Sequence, residues 1–161
     1  MVYQVRQKIF SLGDRYAVKD ASGADRFFVR SAIVSVSKRM WILDMEGREL
    51  YGMRRKLLSF LPCYRISRGD AEVALLRQRL SLWGKRFSVE GERGSFLIKG
   101  RPLDFDYSIE KGGAEVASVS KRFFSLSDTY GVEIAEGEDD AFILALVVIL
   151  DQLCHEGAKG E

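Results

Sequence analysis

The sequence predicts a mainly β fold: a closed barrel of 12 antiparallel strands, in two pseudo-repeated halves, enclosing a hydrophobic C-terminal helix. Three observations carry this expectation. A strand–turn–strand phrase recurs roughly every 23 residues, the links between copies are short, and the chain ends in an apolar run with no polar face. Hairpins joined by short links pair as a meander. Closing that meander removes its exposed edges and creates the enclosed space that an all-apolar helix needs.

The phrase is plainest in KIFSLGDRYAV (8–18) and RFFSLSDTYGV (122–132). A serine followed by an apolar residue stands at Ser11, Ser35, Ser59, Ser81 and Ser125, spaced by 24, 24, 22 and 44. Each serine precedes an aromatic residue (Tyr16, Trp41, Tyr64, Phe87, Tyr130), and two positions on sits Val18, Leu43, Ile66, Val89 or Val132. The last spacing is twice 22, which places a sixth copy near 103; there LDFDYSI offers Tyr107 and Ile109 without the serine. Such a repeat is a structural signal before it is a functional one. A serine recurring at each turn entry bonds local backbone, and the recurring aromatic reads as core.

Around the turns the residues alternate at period two. Ala117, Val119 and Phe123 share one face, with Ser118, Ser120 and Arg122 on the other. Tyr51, Met53 and Leu57 oppose Gly52, Arg54 and Lys56. Arg55 and Lys121 fall on the apolar face. Either they lie at a rim where a long side chain reaches water, or a bulge turns them outward. The links DASGAD, MEGRE, SRGDAE, EGERGS, EKGGAE and EGEDDA carry turn chemistry.

After Ile134 the period changes. Glu136, Glu138, Asp139 and Asp140 suit the positive end of a helix, and AFILALVVIL (141–150) follows. A helix is expected from about 139 to 155, some 25 Å long at 1.5 Å per residue, with residues 156–161 as a disordered tail. The ten-residue apolar run is half of the ~20 that a membrane-spanning helix needs, so a buried core helix is expected.

At 161 residues, 47% hydrophobic and 30% charged, the chain reads as one soluble domain over 1–161. Cys63 and Cys154 are its two cysteines and the N-terminus has no signal-peptide run. A reducing, cytoplasmic setting is therefore expected, with a single disulfide between the two cysteines as the alternative, and peripheral to a membrane if the basic residues meet lipid. The net charge of +2 is unevenly spread: residues 1–80 hold sixteen Lys/Arg against eight Asp/Glu, and residues 81–161 nine against fifteen. Such asymmetry marks a surface that meets anions or two halves that attract each other.

The six hairpin modules, the paired halves and the ending SVSKRFFSLSDTYGVEIAEGEDDAFILALVVILDQ resemble the LURP-one-related family over residues 2 to about 155. That family belongs with the tubby C-terminal domains and the phospholipid scramblases. The resemblance implies a 12-stranded barrel around a hydrophobic C-terminal helix. Tubby domains bind phosphoinositide headgroups through basic residues and scramblases act at membranes with calcium, so it also points to membranes. It assigns no residue a role.

No catalytic set, cofactor site or metal site is expected. His155 is the one histidine and sits at a helix end, where it faces carbonyls or solvent. No C-x-x-C or His cluster exists, and GEDDA lacks the spaced ligands of a calcium loop. The basic residues are the remaining candidates. Arg6, Lys8, Arg54, Lys56, Arg77, Arg79 and Arg122 occupy equivalent module positions on the outer face, where stacking across strands would build a cationic ladder that Arg65 and Arg68 extend. The expected partner is an anionic phospholipid headgroup or membrane surface, with an acidic protein as the alternative. Nucleic acid is disfavoured, because the aromatic residues sit in core positions and leave no stacking platform.

Overall fold

The computed structural model describes residues 1–6, 15–34, 37–101, 104–121 and 129–158. Twelve strands appear in chain order: β1 (Val2–Arg6), β2 (Arg15–Asp20), β3 (Asp25–Val34), β4 (Ser37–Leu43), β5 (Glu49–Arg55), β6 (Cys63–Arg68), β7 (Ala71–Arg79), β8 (Lys85–Gly91), β9 (Gly94–Arg101), β10 (Asp106–Lys111), β11 (Ala114–Ser120) and β12 (Thr129–Ile134). Each pairs antiparallel with its neighbour in sequence, and β1 pairs with β12, so the barrel closes. One helix, α1 (Asp140–Ala158), runs through it.

Period two decides what faces in. Val5, Val18, Val29, Met53, Ile66, Leu76, Val89, Ile98, Ile109, Val119 and Val132 are at most 1% exposed and meet the helix in a single core. Tyr64, Phe87, Tyr107 and Tyr130 face in as the spacing predicts. Trp41 does not. Met40 and Ile42 take the inward positions of β4, and Trp41 lies on the outer face over Gly52 with the Arg30 guanidinium 4.5 Å from its ring. A one-residue offset inverts every side chain of a strand. Leu57 also departs from expectation: β5 ends at Arg55, so Leu57 falls in the turn and is exposed.

Every residue from Phe142 to Leu150 is at most 1% exposed. Burying each Leu, Ile or Val contributes roughly 1.5–3 kcal/mol, which makes this helix the largest single block of the core. Its start is capped by Asp139, whose carboxylate accepts from the Phe142 N–H at 2.9 Å. Its far end is held by the Arg55–Glu156 ion pair and by Lys38, which donates to Gln152 at 2.9 Å. Those contacts carry the helix to Ala158, three residues past the expected end, and Glu156 belongs to it instead of to a tail. Arg55 thus points inward at the rim, and the β5–β6 register runs without a bulge from Gly52 to Arg55.

Candidate functional site

The two rims of the barrel differ in charge. At the rim beside the start of α1, carboxylates from the turns are matched by cations. Asp20 pairs with Arg26 at 2.7 Å, Asp44 with Arg48 at 2.7 Å, Glu92 with Arg68 at 3.2 Å, Asp139 with Arg93 at 2.5 Å and Glu138 with Lys111 at 3.3 Å. Hydrogen bonds from the Ser22 hydroxyl and from Arg26 hold the Asp20 carboxyl well below the usual range.

The rim beside the end of α1 holds matched pairs too, Arg55 with Glu156 and Arg101 with Asp106, but it carries further cations beyond them. Arg39, Arg54, Lys56, Arg77, Arg79, Lys85 and Arg86 have no carboxylate within ion-pair distance among the described residues. The excess of cations is sharpest where β5 to β8 meet this rim.

The sequence leaves two readings of the basic positions open, a cationic ladder or a solvated outer face of the barrel. The registers set two staggered rows. Arg54 lies opposite Arg39 on one side and Arg65 on the other; its Nε donates to Ser37 Oγ at 3.1 Å. Arg79 lies opposite Arg86, which lies opposite Lys99. Arg77 sits between them, facing Cys63 and Ser88. Arg65 joins the first row but pairs with Glu72 at 3.1 Å. Arg68 leaves the ladder entirely, because it ends β6 at the acidic rim and donates to the Tyr51 hydroxyl at 2.8 Å. Arg6 ends β1 at the basic rim and is exposed. Lys8 and Arg122 lie outside the described residues. Arg39, Lys85 and Arg86 were missed, although the position of Arg86 directly before the inward Phe87 marks it as outward.

Two hairpin connections rise from this rim, 56–62 between β5 and β6 and 80–84 between β7 and β8. They present Leu58, Phe60, Leu82 and Trp83, of which Phe60 is 99% and Leu82 95% exposed. Large apolar side chains left exposed on hairpin tips at one rim mark a contact surface. The first loop is pinned across the sheet by the Gln78 N–H, which donates to the Pro62 carbonyl at 2.9 Å. Beneath it lies a cleft of about 400 Å³ lined by Lys56, Ser59, Cys63, Arg77 and Arg79. The two described turn serines bond local backbone as expected: Ser59 Oγ to the Lys56 carbonyl at 3.2 Å and Ser81 Oγ to the Trp83 carbonyl at 2.8 Å.

With this geometry in place, similarity decides the family. A LURP-one-related family model matches residues 1–151. The chain belongs to the LURP-one-related family. It is 27% identical over 151 residues to YxjI of Bacillus subtilis (strain 168), covering 94% of this chain and 92% of that protein. It is 24% identical over 170 residues to LURP-one-related 15 of Arabidopsis thaliana, covering 93% and 78%. The X-ray structure of an Arabidopsis thaliana protein superposes with a TM-score of 0.69 at 19% identity, over 94% of this chain and 91% of that one. The LURP-one-related barrel around its helix is therefore the fold.

The remaining chemistry of this LURP-one-related chain is inside it. His155, near the helix end, lies with its Nε2 3.2 Å from an Asp151 carboxylate oxygen. Cys154 lies on another face of the helix, 2.8 Å from the Tyr107 hydroxyl, and burial pushes its thiol up. Cys63 and Cys154 are both free thiols. Among the described residues no group of three His, Cys, Asp or Glu could hold a metal ion, and no helix is long and apolar enough to cross a membrane.

Proposed function

We propose that this chain is a non-enzymatic binding module that docks on anionic phospholipid surfaces with the rim at the end of α1. One observation carries the reading: Leu58, Phe60, Leu82 and Trp83 stand in solvent, ringed by the unpaired cations Lys56, Arg77, Arg79, Lys85 and Arg86. Apolar tips enter the acyl boundary while cations hold the headgroups, and each cation near an anionic surface contributes about 1 kcal/mol. Tryptophan suits that interface, since its ring is apolar and its N–H stays wet. An acidic protein would use the same cations but gives less reason for four bare apolar tips.

The test is sedimentation with vesicles of phosphatidylcholine, alone and mixed with phosphatidylserine. Binding is expected only to the mixed vesicles. It weakens with added salt, as the screening length shrinks from ~10 Å at 0.1 M to ~3 Å at 1 M. Phe60→Asp and Trp83→Asp each weaken it while the fold stands. Equal binding to neutral vesicles, or none to either, overturns the reading; saturable binding of a purified acidic protein with no vesicle binding puts the protein partner in its place.

A further inference from the structure

We infer that the cleft under the 56–62 loop is a seat for a phosphomonoester. The inference deepens the docking reading, which supplies a lipid as one source of that phosphate, but the seat itself rests on separate observations. Lys56 and Ser59 come from the loop and Arg77 and Arg79 from β7, and Pro62 and Cys63 also line the cleft. No carboxylate lines this cleft. A second groove on this rim, about 550 Å³ beside Trp83, makes the contrast. There Lys85, Arg86, Lys99 and Arg101 share the walls with Asp106 and Glu115, and Arg101 already pairs with Asp106 at 2.7 Å. That groove offsets part of its charge within its own walls; the cleft under the loop offsets none.

Orientation supports the same assignment. Arg79 donates its Nε–H to Ser88 Oγ at 2.7 Å. That bond fixes the plane of the guanidinium, and its terminal nitrogens have no partner among the described residues. Arg77 and Lys56 have no ion-pair partner there either. Like charges lining one cleft repel, and a bound anion removes that cost. Arginine matches phosphate through two parallel N–H···O bonds, whereas lysine acts as a point charge. A terminal phosphate offers a near-dianion and three acceptor oxygens to these three cations. The bridging phosphate of a diester headgroup offers one charge and fewer free oxygens. Leu58, fully exposed at the mouth, directs the remainder of the ligand outward, toward the side where an acyl chain would lie.

The experiment has a soluble arm and a membrane arm, both on the full chain. Inorganic phosphate is titrated while backbone amide signals are followed by NMR. The amides of Ser59, Arg77 and Arg79 are expected to shift saturably, and chloride at equal ionic strength is expected to leave them. Arg77→Gln weakens phosphate about tenfold, as expected for one charge-assisted contact. Arg48→Gln, on the acidic rim, changes nothing. In the second arm, vesicles carrying phosphatidic acid are compared with vesicles of matched surface charge carrying phosphatidylserine. A preference for phosphatidic acid over phosphatidylserine, lost in Arg77→Gln and kept in Phe60→Asp although that variant binds both vesicles more weakly, identifies a lipid source. Saturable phosphate binding with no vesicle binding upholds the seat, makes its ligand a soluble phosphomonoester and removes the docking reading. Vesicle binding with no phosphate shift and no preference for phosphatidic acid removes the seat and leaves docking intact. Unchanged phosphate affinity in a folded Arg77→Gln variant also overturns the seat.

Discussion

The phenol of Tyr51 on β5 donates a 2.8 Å hydrogen bond to Asp139, the residue that caps the central helix. Arg68 and Arg93 donate to the same phenolic oxygen at 2.8 and 3.0 Å, and Arg93 also pairs with the Asp139 carboxylate. Barrel wall and helix start are thereby tied through one carboxylate. Asp139→Ala removes the cap, worth ~1 kcal/mol, and strands donors that lie partly buried. The expected loss is about 2 kcal/mol, or a fall in Tm of about 4–8 °C for a chain of this size. Asp139→Asn still caps and loses only the charge, so it falls less. Thermal unfolding of the two variants checks the order; equal losses would remove the capping role.

All six tyrosines, Tyr3, Tyr16, Tyr51, Tyr64, Tyr107 and Tyr130, have their phenols pushed above the ordinary value, with burial the largest cause in each. Neighbouring carboxylates add to it, Asp140 at Tyr3 and Asp151 at Tyr16 and Tyr130. Above pH ~10 the unfolded chain releases these protons and the folded chain keeps them, so the stability they contribute is present below that pH and drains away as pH rises. Tyrosinate absorbance should show no step near pH 10 in the native protein and should appear only as the barrel unfolds. In denaturant all six should titrate near pH 10. Native-state ionisation of several tyrosines at pH 10 would contradict the inward placement.

The barrel was legible because its signal is local. Tyr64 with Ile66, and Tyr130 with Val132, each declare an inward face within one strand, and the run 142–150 declares a helix with no solvent side. Trp41 misled because aromatic identity does not encode parity; only the neighbours Met40 and Ile42 reveal that β4 is offset. The site was legible only as a set of residue types. Lys56 and Arg77 lie far apart in sequence and come together only because the β6–β7 register sets Cys63 against Arg77 and the 56–62 loop folds back over both. Phe60 and Leu82 read as the apolar residues that follow Ser59 and Ser81 in the repeated phrase, and nothing local separates an apolar residue that enters the core from one left on a tip.

Gly100 illustrates how tightly the wall is packed. An added Cβ would stand 1.9 Å from the Tyr107 ring, and that ring is itself held edge-on by Phe105, with centroids 5.4 Å apart. Gly100→Ala should therefore destabilise by about 1–3 kcal/mol through overpacking. The loss should shrink when Tyr107→Ala is added, because the second change removes the obstacle. A denaturant double-mutant cycle measures the coupling, and additive losses would show that the clash is not with Tyr107.

The two tryptophans make the exposed tips directly observable. Trp41 is 8% exposed under Arg30 and Arg39, whereas Trp83 is 87% exposed at the tip of the 80–84 loop. The native emission should therefore resolve into a blue component that resists aqueous quencher and a red component that quenches freely. Trp83→Phe should remove the red component and leave thermal stability nearly unchanged, since a surface substitution of this kind moves it by no more than ~0.5 kcal/mol. Trp41→Phe should remove the blue component and lower stability, because the smaller ring uncovers part of Gly52 and weakens two cation–π contacts worth roughly 0.5–1 kcal/mol each with tryptophan. Adding vesicles that contain phosphatidylserine should then shift only the red component toward the blue and shield it from quencher. A shift carried by Trp41, or quenching of Trp83 that vesicles leave unchanged, would place the membrane contact elsewhere on the barrel.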